Sequence, residues 1–426
     1  MIAALLVIAA ALLLGVPLVG RSLRGPLRFG VAFLVGLAAC AMLLLIVPWS
    51  RVTLGVAYAL VLALGVVLSR GDGEGSVPIS RRKGTDPSPS AGLGMTLALL
   101  LLLELIGYTL FATIAPLWEF DFLADWGLKG RVYALAQGID WSFLQHAWYR
   151  ATHADYPPLL PLSFDLVAIV NGGWDDRWIG LLYPAFALAG AAIAYGAARE
   201  EVGGRWAAAI AVIVFPLCAT PWIGLADGPF AVTVLGAIVL LRRGNVAMGA
   251  VLAGCAALMK NEGYALIVGL AIGLLITRKK VWQLWPAVLI ALPWPILRHL
   301  HGVEGDLAQG PVLARVLARL RDPLPLLQAL LTNTPHRWLL WAGILLGILL
   351  VARRELFAFT VIATQWVAYI AVYFATPHDL QWHIRWSWER LVTHVWPALV
   401  LVLLVGLAKG NAGPEEAGVE NIARGD

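Results

Sequence analysis

The sequence predicts an all-α integral membrane protein, and three observations carry that prediction. Hydrophobic residues make up 60% of the 426-residue chain and charged residues only 13%, whereas an ordinary soluble domain is about 45–50% apolar. The apolar residues gather into runs close to the roughly 20 residues a helix needs to cross a bilayer. Lys and Arg fall as short clusters in every second connection between those runs, the distribution found in cytoplasmic loops of membrane proteins. The net charge of +5 is therefore a topological signal, and nucleic acid is not an expected partner. Cys40, Cys218 and Cys255 lie inside apolar runs without metal-ligand spacing, so neither a disulfide nor a metal site is expected from them.

In chain order, apolar runs at 1–20, 28–48, 52–69, 94–115, 178–198, 206–222, 228–241, 246–259, 264–277, 282–298, 338–352, 356–375 and 391–408 predict about 13 spanning helices. The first run lacks the basic start of a signal peptide and is read as a retained span. Residues 1–70 thus form three N-terminal helices, and the Gly/Ser/Pro-rich, charged stretch 71–93 is expected to be a cytoplasmic linker. A second membrane module covers 94–408, and the polar residues 409–426 are expected to be a disordered cytoplasmic tail.

The basic clusters (Arg21, Arg24 and Arg28; Arg70 with Arg81, Arg82 and Lys83; Arg199 and Arg205; Arg242 and Arg243; Arg278, Lys279 and Lys280; Arg353 and Arg354; Lys409) all fall on one side if the N-terminus is outside and the C-terminus inside. All eight histidines lie in the opposite connections or at their edges. The chemistry is expected on the outer face. Residues 157–171, PPLLPLSFDLVAIVN, would invert every later loop if they spanned. Opened by prolines and interrupted by Asp165, they are expected to be a helix dipping into the outer interface, within a first outer loop over 116–177. Amphipathic helices are expected in that loop at 125–137 and 141–150.

Ionisable groups beside spanning segments are costly, and so mark candidate sites. Asp121, Asp125, Trp126, Lys129 and Tyr133 form the first constellation; helical spacing puts Asp125, Lys129 and Tyr133 on one face. A carboxylate at this position suits a general base, although either acid could equally cap the helix. The second is His153, Asp155 and Tyr156 before Pro157 and Pro158, held at a bend by the prolines or serving only as turn chemistry. Asp227 stands between two spans in LADGPF, and Lys260 with Glu262 in LMKNEG. Last come His378, Asp379, Arg385 and Arg390 in TPHDLQWHIRWSWER, where Arg suits forked contact with phosphate oxygens or snorkelling beside an aromatic belt.

Taken as a set, FDFLADWGLKGRVY, HADYPPLLP, LADGPF, LMKNEG and TPHDLQWHIRWSWERLVTHVWP resemble the multi-spanning glycosyltransferases of the GT-C superfamily, in particular bacterial relatives of the protein mannosyltransferases and of the lipid A aminoarabinose transferase. The resemblance covers roughly 94–408. It implies a polyprenyl-phosphate-linked sugar donor, a glycan, lipid or protein acceptor in the cell envelope, and an outer-face site in a bacterial inner membrane. The family's first-loop acid falls on Asp121, with Asp125 as competitor, and its second outer acid on Asp227. Phe122 stands where the mannosyltransferases carry a second acid beside the first.

These residues lead to an inverting transfer in which a carboxylate activates the acceptor and cations stabilise the leaving phosphate. Asp121 is the expected base, and Lys260, Arg385 and Arg390 the expected phosphate partners. Lys129, His153, Asp155, Tyr156, Asp227, Glu262, His378 and Asp379 complete the expected substrate site. A divalent metal between Asp121 and Asp227 is considered, on a thin ligand set. The alternative is a transporter or flippase of lipid-linked sugars, which would place polar groups near the membrane midplane; here they gather at one end of clean apolar segments. An O-antigen ligase or polymerase fits less well, because the large outer loop comes early.

The alternation of basic clusters predicts that a tag inserted at 75–85 is cytoplasmic and one at Gly173 external. Labelling with a membrane-impermeant reagent reads both, and a cytoplasmic Gly173 would mean that 157–171 spans.

Overall fold

The computed structural model describes residues 1–71, 90–114, 117, 119–149, 153–305, 307, 309–334 and 338–411, and among these there are helices, turns and no strand. The expected linker centre, the tail beyond 411 and His336 lie outside the described residues. By length and composition four helical stretches can cross a membrane: Gly25–Leu43, Gly92–Ile114, Asp176–Val202 and Leu356–Ala375. A fifth arises if Leu380–Thr393 and Trp396–Lys409, bent by 42°, are one broken span.

The N-terminal trio is α1 (Ile2–Leu18), α2 (Gly25–Leu43) and α3 (Arg51–Gly71). Glycine lets α1 and α2 touch backbone to backbone. A Cβ on Gly36 would lie 1.8 Å from the Ala11 carbonyl oxygen, and one on Gly15 the same distance from that of Ala32. After α4 (Ser90–Ile114) the long connection forms a π-turn at Phe122–Trp126, then α5 (Gly127–Ala136), α6 (Trp141–Gln145), α7 (Leu159–Asn171) and α8 (Asp176–Gly180).

Two loop expectations change. The helix expected over 125–137 begins as a π-turn one residue after Asp121. The one expected over 141–150 stops at Gln145. In α7 every residue from Leu159 to Ala168 is buried, because α1, α2 and α5 pack around it.

The main bundle continues with α9 (Leu182–Val202), α10 (Gly204–Cys218), α11 (Asp227–Arg242), α12 (Val246–Met259) and α13 (Glu262–Ile276). The run at 282–298 is not one helix. It breaks into a 3₁₀ turn, α14 (Trp285–Ala291) and α15 (Pro293–Leu300), since Pro293 lacks the donor an unbroken helix needs. Then come α16 (Val312–Arg321), α17 (Leu324–Asn333), α18 (Trp338–Val351), α19 (Leu356–Ala375), α20 (Leu380–Thr393) and α21 (Trp396–Asn411). The last run therefore starts at Trp396, and residues 391–393 belong to α20. Arginines of α16 hold the end of α19: Arg319 Nη1 donates to the carbonyls of Tyr373 (2.9 Å) and Thr376 (2.7 Å), and Arg315 Nε to that of Ala375 (3.0 Å). They satisfy carbonyls that a helix end leaves without partners.

Two contacts place the loop on the bundle. Phe122 is buried, and its ring fills the space where Gly127 and Gly224 have no side chain; a Cβ on either would come within 2.6 Å of it. Gly224 also has φ +96°, a conformation open mainly to glycine. The α12–α13 joint is equally tight, because a Cβ on Gly263 would lie 2.3 Å from the Ala257 nitrogen.

Close backbone contact between α1 and α2 predicts that Gly36→Val costs about 3 kcal/mol or more, the upper end for overpacking, since a backbone oxygen cannot move aside. Gly55→Val, at a position with nothing within 4 Å, is the control. Thermal unfolding in detergent measures both, and equal midpoints would refute the close packing.

Candidate functional site

Asp227, the first residue of α11, has no exposed surface, so its carboxylate must be paired within the protein. Both oxygens are. Oδ1 lies 2.7 Å from His394 Nε2 and 3.2 Å from Lys260 Nζ, and Oδ2 accepts from Arg390 Nη2 at 2.9 Å and Nε at 3.3 Å. The remaining Arg390 nitrogen, Nη1, reaches Asp121 Oδ2 at 2.6 Å. One guanidinium thus bridges the loop after α4 and the bundle.

The ring of His394 is fixed from its other side. Gln365 Nε2 donates to Tyr369 Oη (2.9 Å), which lies 3.0 Å from His394 Nδ1. A consistent assignment has Tyr369 donating to Nδ1 and His394 donating from Nε2 to Asp227. Gln365 also donates to the backbone carbonyl of Glu262. The Glu262 side chain meets Lys260 at 3.2 Å and Tyr156 Oη at 3.4 Å through Oε1, while its buried Oε2 has no hydrogen-bond partner among the described residues.

Counting Asp121, Asp227 and Glu262 against Lys260 and Arg390, the network holds three acids and two cations. Exposure orders them. Lys260 is 4% exposed, whereas the side chains of Asp121 and Arg390 are 30% and 20% exposed, so the accessible edge is the Asp121–Arg390 pair. This revises the phosphate assignments. Lys260 sits behind Asp227 and holds it in place, Arg385 is exposed and outside the network, and Arg390 alone is an accessible member. The metal expectation is revised too: the Arg390 guanidinium occupies the space between Asp121 and Asp227, and among the described residues no group of three or more His, Cys, Asp or Glu is arranged to hold a metal.

A second cluster supports the loop. Asp125 and Lys129 are 1% and 0% exposed and pair at 2.7 Å. The pair does not face solvent as an ordinary helix-surface pair would, because Trp126, Tyr149 and Tyr156 surround the ammonium. Tyr149 Oη lies 3.2 Å from Asp125 Oδ1. Lys129 Nζ donates to the carbonyls of His153 (2.7 Å) and Tyr156 (3.2 Å), fixing the bend before Pro157, where His153 has φ +60° and stacks on Tyr156. Burial pushes the Asp125 carboxyl up to about 6, against the pull of Lys129 and His153. With the folded value above the ordinary 3.8, this group favours the fold at low pH and that contribution is lost as pH rises from about 4 to about 6. Asp125 is thus an internal strut of the loop, not an accessible base.

Asp155 belongs to a third group: its carboxylate accepts from Asn261 Nδ2 (2.7 Å) and Arg298 Nη1 (3.1 Å), and its backbone carbonyl accepts from Trp294 Nε1 (2.8 Å). Asp379 caps α20, accepting from the Trp382 amide at 2.9 Å, and His378 packs against Trp382 and His383; both lie away from the network. Sequence reasoning missed His394, Tyr369 and Gln365. The signal was present, since His394 follows Arg390 by four and Tyr369 follows Gln365 by four, a spacing that puts each pair on one helix face. The three cysteines are buried and free. No protein-family model matches the chain, and neither does a curated protein or a solved structure.

Breaking a buried pair by removing one partner costs about 3–5 kcal/mol, so Asp125→Asn is expected to lose that much. Lys129→Met should cost less, because the remaining carboxyl can take a proton, and Asp125→Asn with Lys129→Met should recover most of the loss. A double-mutant cycle on detergent-solubilised protein measures it; additive losses would place the pair in solvent.

Proposed function

We propose that this protein is a membrane glycosyltransferase of GT-C type, carrying a sugar from a polyprenyl-phosphate donor to a cell-envelope glycan, lipid or protein on the outer face of a bacterial inner membrane. The observation that carries the reading is the bridge from Asp121 through Arg390 to Asp227. It joins a partly exposed carboxylate to a partly exposed guanidinium at one end of an apolar bundle, with a buried network fixing both. In this reading the shorter apolar helices also span, giving about 13 crossings, with the N-terminus outside.

The acceptor hydroxyl attacks the anomeric carbon; its proton passes to Asp121, the new glycosidic C–O bond forms, and the bond from the anomeric carbon to the phosphate oxygen breaks. The polyprenyl phosphate leaves with the electron pair of that bond. Arg390 is the cation nearest the accessible edge, and a phosphate drawing on Nη1 competes with Asp121 for it. Donor binding then releases the carboxylate to act as base. Asp227, held by Lys260 and His394, keeps the other edge of the guanidinium in place, so these three are positioning residues. No carboxylic acid is required to protonate the leaving group, in contrast to glycoside hydrolysis.

Asp121→Asn keeps the shape of the side chain but cannot accept the proton, so turnover should fall by about 10² to 10⁴ with donor binding and thermal midpoint preserved. Release of polyprenyl phosphate from a panel of labelled polyprenyl-phosphate sugars measures it. Unchanged turnover in Asp121→Asn would remove it as base, and movement of the sugar lipid across proteoliposomes without release of polyprenyl phosphate would make the protein a flippase.

A further inference from the structure

At the far end of α11 from Asp227, about 24 Å away for 16 residues at 1.5 Å each, a cleft of about 740 Å³ opens among the ends of α9, α11, α13, α19 and α21. Its floor is a locked ion-pair cluster. Arg242 bridges Glu201 and Glu355, the latter at 2.5 Å, and Lys409 Nζ meets Glu201 at 2.6 Å. Arg242 and Lys409 lie in the last turns of their helices, where cations complement the helix dipole. Those two are accounted for by the fold.

The walls are not. Lys279, Arg353 and Arg354 line the same cleft and are exposed, and no acid among the described residues pairs with them. Arg243 joins them: it donates to the Ala197 carbonyl at 3.2 Å, and the one acid it meets among the described residues is Glu200, whose side chain is 60% exposed. Over the whole lining, Arg242, Arg243, Lys279, Arg353, Arg354 and Lys409 stand against Glu200, Glu201 and Glu355, a surplus of three positive charges after the internal pairs are made. Leu356 and Phe357 border this basic rim, and Leu356 is 47% exposed, so apolar and basic surface meet at one mouth.

We propose that this cleft binds a phosphate-bearing headgroup, with Lys279, Arg353 and Arg354 as its charged partners and Leu356 beside the apolar stem. The arginines offer forked contacts to phosphate oxygens and Lys279 a point charge. The cleft is separate from the Asp121–Arg390 edge, at the other end of the bundle. The proposal does not depend on the transfer reaction.

Full-length protein in neutral detergent is to be titrated with phosphatidylglycerol, phosphatidylcholine and inorganic phosphate, and binding read by native mass spectrometry and by shift of the thermal midpoint. The triple variant Lys279→Ala, Arg353→Ala, Arg354→Ala changes only exposed side chains. It should bind the phosphate-bearing probe about a hundredfold more weakly, at roughly fivefold per basic residue near a membrane surface. An equally charge-depleted variant outside the cleft, Arg21→Ala, Arg24→Ala, Arg205→Ala, should bind as the unaltered protein does. Preference for phosphatidylglycerol over both other probes assigns the headgroup to a lipid; binding of inorganic phosphate with the same variant dependence, and no preference among lipids, assigns it to a soluble phosphate. Equal weakening in the two triple variants, or no binding of any probe beyond that of phosphatidylcholine, overturns the proposal.

Discussion

Burial of the Asp227 carboxylate is the constraint from which one end of this bundle follows. An ionised carboxylate without water is tolerable only when charge and hydrogen bonds surround it. Here the donors come from the α12–α13 joint, from α20 and from the α20–α21 joint. Each then needs its own support: Lys260 has Glu262, His394 has Tyr369, and Arg390 has Asp121. The demand of one acid is thereby passed through four parts of the chain until it reaches a carboxylate with exposed surface.

The class of the fold was legible in composition, because long apolar runs have few other uses, and so was the gathering of charge at the ends of helices. Which charges meet was not. Lys260 and Arg390 read as free cations, since nothing in local spacing announces that Asp227 stands between them; contacts over sequence separations of 33 and 163 residues leave no periodic trace. Asp125 and Lys129 misled in the opposite way. Their spacing was right, but the spacing is the same for an exposed pair and for one enclosed by Trp126, Tyr149 and Tyr156, and only the tertiary packing distinguishes the two. Phe122 stands where the resemblance in the sequence would lead one to expect a second acid. Its place against Gly127 and Gly224 gives that difference a physical role, since an acid there would sit in a dry apolar socket.

The two ends of the bundle differ in how their charges are closed. At the Asp227 end three acids hold two cations in a largely buried set, which suits fixed geometry and exchange of a single partner at the edge. At the other end the acids are outnumbered around an open cleft, which suits capture of an anion that is not part of the chain. Helix α11 carries a residue of each set at its two ends, Asp227 and Arg242.

The bridge from Asp121 to Arg390 spans 269 positions of sequence, and this bears on how the protein is made. A ribosome delivers the first loop long before α20 exists. Until then Asp121 and Asp227 are two carboxylates without their shared guanidinium, and Asp227 has at most Lys260 for company. The Asp121–Arg390 edge is consequently completed only once α20 has been made, and a chain that stops short of α20 holds an uncompensated acid at the mouth of its bundle. Such a chain carries its own mark of incompleteness, a buried charge that favours hydration and local opening at that end of the bundle.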